Sequence, residues 1–202
     1  MKKTIWWMAF GLLFFLINLY GIACMIENDQ QMNTDPVNQV HTFIADGVVS
    51  VGEYKNQVTY QSLEIFWSND EVYIYLALKG KTKGYISIGI QPGSMMKNSD
   101  IILGFIKEGK VELFDQYSTG DFGPHPSDKD LGGTNDILEY GGKEEDDYTI
   151  IEFKRLLKTE DKYDLELKPG KNKIIWAYSD QDNLQARHGT RGYGEIIISE
   201  NK

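Results

Sequence analysis

The chain of 202 residues has a single cysteine, Cys24, so no intramolecular disulfide can form. It is short of positive charge, with 21 Lys and Arg against 30 Asp and Glu and a formal charge of −9. No cluster of basic residues offsets that balance, and such a surface repels phosphate backbones, so nucleic acid is excluded as a partner. A Gly-rich phosphate loop, a serine nucleophile elbow, an HExxH pair and Cys-rich metal spacing are all missing. With them go the commonest catalytic constellations. After the first two dozen residues no helical period of useful length appears.

What is present begins with a segment unlike the rest. Lys2 and Lys3 precede an apolar run over 5–23 that is broken only by Asn18. Its layout is that of a secretory signal, and its length approaches the roughly 20 residues that span a bilayer as a helix. Cys24 follows Gly21-Ile22-Ala23, which suits a bacterial-type lipobox in which the thiol is lipidated and becomes the mature N-terminus. The alternative is an uncleaved anchor whose cysteine has no role. In both readings the protein is exported and tethered to the outer side of the cytoplasmic membrane, at the cell surface or in the periplasm. Residues 1–23 are therefore signal or anchor, the polar stretch 24–40 is a tether, and 41–202 is one domain. Without Lys2 and Lys3 the formal charge moves from −9 to −11.

In that domain, short apolar alternation recurs between turn residues. Residues 63–67 and 72–79, joined at Ser68-Asn69-Asp70, predict a hairpin, with Val72, Ile74, Leu76 and Leu78 on one face. Further strands are predicted at 85–90, 101–106, 111–117, 148–154, 173–178 and 195–199. Strands so short and so many imply an all-β, immunoglobulin-like antiparallel sandwich, because each half-apolar sheet must cover its face with another. Residues 118–134 form a long loop rich in Gly, Pro and Asp. Its aspartates 121, 128 and 130 match no EF-hand-like spacing and read as solvated turn residues. The acids 144–147 likewise read as a solvated turn.

Few residues are left to carry chemistry. No CxxCH is present, which excludes covalent c-type haem. His41 stands where the tether meets the domain and reads as incidental, and His125, between two prolines of the long loop, reads as structural or exposed. His188 lies in a polar loop between Arg187 and Arg191, and Met95-Met96 follow the strand at 85–90. Imidazole and thioether are ligands for soft metals or haem iron, although core filler and an exposed loop residue are the commoner uses of these residue types. In extended chain only one of the two adjacent methionines points inward.

From Asp46 onward several ordered segments resemble the DOMON family, in its short prokaryotic lipoprotein form. They are Asp46-Gly47, Gly52-Glu53-Tyr54, Trp67-Ser68-Asn69-Asp70 and Lys83 to Gly89, then Ser99-Asp100 to Gly104, Asp115 with Tyr117, and Gly132 to Asp136. Phe153-Lys154-Arg155, Ile175-Trp176-Ala177-Tyr178 and His188 before Arg191-Gly192 complete the pattern. Members of the family bind haem or sugars. The resemblance implies a non-covalent haem b with Met96 and His188 as axial ligands, and an electron-transfer role with no catalytic residues. Asn98-Ser99 depart from the family's Gly-Ala form, which leaves Met95 as the other choice of ligand. Lys97 lies near Met96, but no lysine lies near His188. The expected site is an apolar slot at an edge of the sandwich, with Arg187 or Arg191 pairing a propionate. The expected partners are the membrane and a redox protein. The alternative is a module without haem that binds carbohydrate or another small ligand, with Trp67, Trp176 and tyrosines stacking on sugar rings, against a core role for Trp176.

Overall fold

The computed structural model describes residues 42–123 and 125–200. The tether, Cys24 and His41 lie outside them. Among the described residues ten strands form two five-stranded antiparallel sheets. The first sheet has the order β1-β2-β3-β8-β7, built from Asn56–Tyr60, Leu63–Asn69, Tyr73–Gly80, Tyr148–Leu156 and Ile137–Glu145. The second has the order β10-β9-β4-β5-β6, built from Thr190–Ile198, Gly170–Tyr178, Ile86–Ile90, Asp100–Lys107 and Lys110–Tyr117. An antiparallel sandwich is what the alternation implied. Among the described residues no helix is long and apolar enough to cross a membrane.

Strand β2 alternates strictly between buried and half-buried positions, placing Leu63, Ile65 and Trp67 in the core. Opposite them, Ile86, Ile88 and Ile90 of β4, Ile102 of β5 and Ile174 and Trp176 of β9 face inward from the second sheet. The sheets are also tied by hydrogen bonds. The Trp67 indole Nε1 donates to the Ile197 carbonyl at 2.8 Å, and the Asn69 amide exchanges bonds with the backbone of Ser199. Tyr60 stacks on Trp176 with ring centroids 5.7 Å apart, and its hydroxyl accepts the Glu195 N–H.

Local chemistry explains the turns. Lys107 pairs with Lys110 across Glu108 and Gly109, whose φ values of 51° and 73° are those of a two-residue type I′ hairpin. The β2–β3 turn is closed by Asp70, whose Oδ1 accepts the N–H groups of Val72 and Tyr73 at 2.8 and 2.7 Å. That turn extends through Val72, which is 48 % exposed and outside β3, not on its inner face. The final strand begins at Thr190, five residues earlier than its apolar pattern suggested. Two strands gave no clear signal. In β1 (NQVTY) only Val58 and Tyr60 pack on the core, and β7 carries Gly141 and Gly142 and is mostly exposed or half-exposed, as an edge strand can be. Glu144 and Glu145 close β7, so only Asp146 and Asp147 form the turn to β8.

Strands β4 and β5 are buried on both faces, apart from Lys107 at the end of β5. Their inner residues meet the first sheet. On the outer face Ile101, Leu103 and Phe105 of β5 join Tyr85 in a second apolar cluster, against which Phe114, Leu184 and Ala186 pack. A sheet face covered in this way reads in sequence as a continuous apolar run, as Ile101 to Ile106 does. This covered outer face holds the site.

Candidate functional site

Three connections fold over the outer face of the second sheet: 91–99 after β4, 118–136 after β6 and 179–189 after β9. Between them and the sheet lies a cavity of about 830 Å³, within the range of cofactor and ligand sites. Its floor is Ser87 and Gly89 of β4, Ile101 and Leu103 of β5, and Ile175 and Ala177 of β9. Gly89 keeps the floor low, because a Cβ there would come within 2.5 Å of the Ser99 hydroxyl and 2.6 Å of an Ile175 methylene. The slot lies over the centre of one sheet and not at an edge of the sandwich, because loops, not strand ends, enclose it.

All four residues singled out in the sequence line this cavity: Met96, His188, Arg187 and Arg191. Met96 is half-buried, whereas Met95, held at a positive φ of 51°, is 40 % exposed although it also borders the space. The methionine loop is fixed by its backbone. Lys97 donates to Ser94 and Ser99 to Met96, while Asn98 donates to Ser118 at 2.7 Å. On the other side, the Tyr85 hydroxyl donates to the Ala186 carbonyl, the Ser179 hydroxyl to that of Arg187, and the Gly189 N–H to that of Tyr178. His188 is half-buried, and both arginines are exposed beside it.

His125 belongs to the site as well, contrary to its reading as structural or exposed. Its Nδ1 is buried with no hydrogen-bond partner, and its backbone is held by the Gln116 amide, which donates to its carbonyl at 2.7 Å. A Cβ on Gly123 would lie 3.9 Å from His125 Nε2 and 4.0 Å from Met96 Cε, so imidazole and thioether share one wall. Burial, then the charge of His188, lowers the pKa of His125. Burial, then Arg191, lowers that of His188 despite an opposing backbone hydrogen bond. Both rings are thereby biased to the neutral form, which can offer a lone pair to a metal. An orphaned imidazole nitrogen, a thioether, an apolar floor and rim guanidiniums suit a flat apolar cofactor that carries a metal and carboxylates.

Of the aromatic residues considered for sugar stacking, Trp176, Tyr85 and Tyr193 border the cavity. Trp67 and Trp176 are 5 % and 4 % exposed and belong to the core between the sheets. Asp128, expected to be a solvated turn residue, is fully buried, whereas Asp130 is exposed.

Fold and cavity together define a β-sandwich that encloses a ligand pocket against the outer face of one sheet. The DOMON domain family model matches residues 55–179, more than half of the chain, and the protein belongs to this family. Human DBH-like monooxygenase protein 1 is 32% identical over 120 residues, which are 59% of this chain and 19% of that protein. The MOXD1 homolog 1 of Drosophila melanogaster is 23% identical over 180 residues, covering 86% of this chain and 24% of that protein. The chain thus spans roughly a fifth to a quarter of the length of these curated relatives. Among solved structures, the cytochrome b domain of pyranose dehydrogenase from Coprinopsis cinerea aligns with a TM-score of 0.52 at 13% identity. That alignment covers 70% of this chain and 80% of that domain, a likeness of fold.

Proposed function

We propose that the domain binds a non-covalent b-type haem in this cavity and serves as an electron-transfer module with no catalytic residues of its own. Met96 and His188 are the axial ligands in this reading, and Arg187 and Arg191 pair with the propionates. One observation carries it: a thioether and a neutral-biased imidazole, 92 positions apart in sequence, line the same apolar-floored cavity. The Coprinopsis cinerea domain that shares this fold is a cytochrome b domain, which supports the reading. Held by two protein ligands, the haem would supply one-electron exchange. Met96 would provide a soft donor and His188 a neutral imidazole above the apolar sheet floor. The acidic chain acts outside the cytoplasmic membrane, held by lipidated Cys24 or by the apolar segment as a helix, and exchanges electrons with a redox protein.

Expression of the full chain with haem supplied tests the reading by visible absorption. The expected result is a Soret band with sharp low-spin bands in the reduced form, lost or converted to high-spin in M96A and H188A. No Soret band, or a low-spin spectrum that survives replacement of both residues together, overturns it.

A further inference from the structure

At the end of β5 and β6 away from the type I′ hairpin, three aspartates meet around one arginine inside the protein and a fourth is buried beside them. Asp100 opens β5, Asp115 lies near the end of β6, Asp128 precedes the short 3-10 turn Lys129–Leu131, and Asp164 belongs to the connection into β9. Each is 9 % exposed or less, and Arg155 of β8 is 1 % exposed. Asp100, Asp115 and Asp164 each present a carboxylate oxygen within 4.8 Å of the others. The guanidinium holds Asp100 at 2.5 Å and Asp164 at 3.7 Å.

The partners of these carboxylates are too few. Asp100 Oδ2 also accepts the Leu165 N–H, and Asp115 Oδ2 accepts the Asp136 N–H. Asp164 interacts with Thr159. Oδ1 of Asp100 and Oδ1 of Asp115 are buried with no hydrogen bond. Both oxygens of fully buried Asp128 are without one as well. Asp128 lies beside Asp115, whose carbonyl accepts its N–H at 3.2 Å, and after burial the charges of Asp115, Asp100 and Asp164 are the main influences that raise its pKa to about 8. Four carboxylates against one guanidinium leave a formal excess of three negative charges. Burying unpaired charge of that size is costly, and so is burying lone pairs without donors.

We propose that Asp100, Asp115, Asp128 and Asp164 form a binding site for Ca²⁺. The donor set is wholly oxygen and anionic, which suits a hard cation, and a divalent ion removes two of the three excess charges. Carboxylates from four separate segments give an adaptable shell, which favours Ca²⁺ over Mg²⁺ with its strict octahedron and reluctant dehydration. Asp128 and His125 share the loop after β6, and Asp100 lies four residues beyond Met96. A cation here therefore ties down two walls of the cavity, yet the site stands independently of what the cavity binds.

The test uses the full chain, stripped with EDTA, with Ca²⁺ alone as probe at neutral pH. Calorimetry is expected to find one Ca²⁺ per chain. A hundredfold excess over Kd should raise Tm by about 5–10 °C, with a smaller effect from Mg²⁺ at equal concentration. Tb³⁺ at the site should show tyrosine-sensitised emission that falls in Y117F, since Tyr117 feels the charges of Asp100 and Asp128. D128N is expected to lower Ca²⁺ affinity at least tenfold. A wild-type chain whose Tm and heats do not respond to millimolar Ca²⁺ would show that protonation alone accommodates the cluster, and that overturns the proposal. Unchanged affinity in D128N would place bound Ca²⁺ elsewhere and overturns it equally. Should D128N fail to fold, the wild-type titration with the Y117F emission decides. None of these readouts involves haem, so the two proposals fail separately.

Discussion

Replacing Arg155 with methionine is the most informative single change to this fold. The guanidinium is 1 % exposed, 2.5 Å from Asp100 and 3.7 Å from Asp164, and it also donates to the carbonyls of Leu156 and Leu165. Burial works to lower its pKa, but Asp100 and Asp164 outweigh that and hold it above its ordinary value, so the residue stays cationic. Methionine keeps most of the side-chain volume and removes the charge. Removing one partner of a buried ion pair costs about 3–5 kcal/mol, because the other is left uncompensated. For a domain of this size that corresponds to a fall in Tm of about 6–20 °C. Urea unfolding in the presence of EDTA measures it without interference from added metal. The loss should be smaller at acid pH, where the aspartates take up protons and shed the charge that Arg155 balanced. Adding D100N to R155M should recover part of the loss, giving a coupling energy of at least about 1 kcal/mol in the double-mutant cycle. A loss in R155M below about 1 kcal/mol, or strict additivity with D100N, would refute the account of this cluster as an ion-paired core.

Two further outcomes follow from particular contacts. At Asp70 burial opposes ionisation, but hydrogen bonds from the Tyr73 and Val72 N–H groups and the Tyr75 hydroxyl outweigh it and hold the pKa below the usual value. Its folded pKa is depressed, so its stabilisation is present above about pH 4 and disappears as pH falls through the lower folded value. D70N should therefore cost about 0.5–1.5 kcal/mol at neutral pH and less at acid pH, and an equal loss of stability at both pH values would disprove this. At Gly89 a valine must displace Ser99 and Ile175. G89V should destabilise the fold by about 1–3 kcal/mol and reduce haem uptake measured at the Soret band, and wild-type uptake would contradict the placement of the cavity floor.

The sandwich was legible because strand alternation in β2 and β3 is a local property that mirrors which face meets the core. The paired turns were legible for the same reason, as Lys107-Glu108-Gly109 and Asp70 carry their geometry in their own side chains and φ preferences. Strand β7 was not legible, since an edge strand with two glycines and a largely exposed surface needs no apolar period. Met95-Met96, and His188 between Arg187 and Arg191, stood out as residue types able to bind a soft metal or haem iron, and the family resemblance paired Met96 with His188 as ligands of one haem.

The acidic balance, the lack of any intramolecular disulfide, the strand-forming alternation and the residue types able to bind metal are all written in the order of amino acids. Which of those residues share a space depends on how the loops fold over the sheet. His125 and Met96 are neighbours because two loops fold over one face of a sheet, and Asp100, Asp115 and Asp164 meet because three separate segments converge near Arg155, with Asp128 buried beside Asp115. Burial is a property of that convergence. No local pattern distinguishes a solvated aspartate such as Asp130 from Asp128, two residues away, which the fold takes out of water.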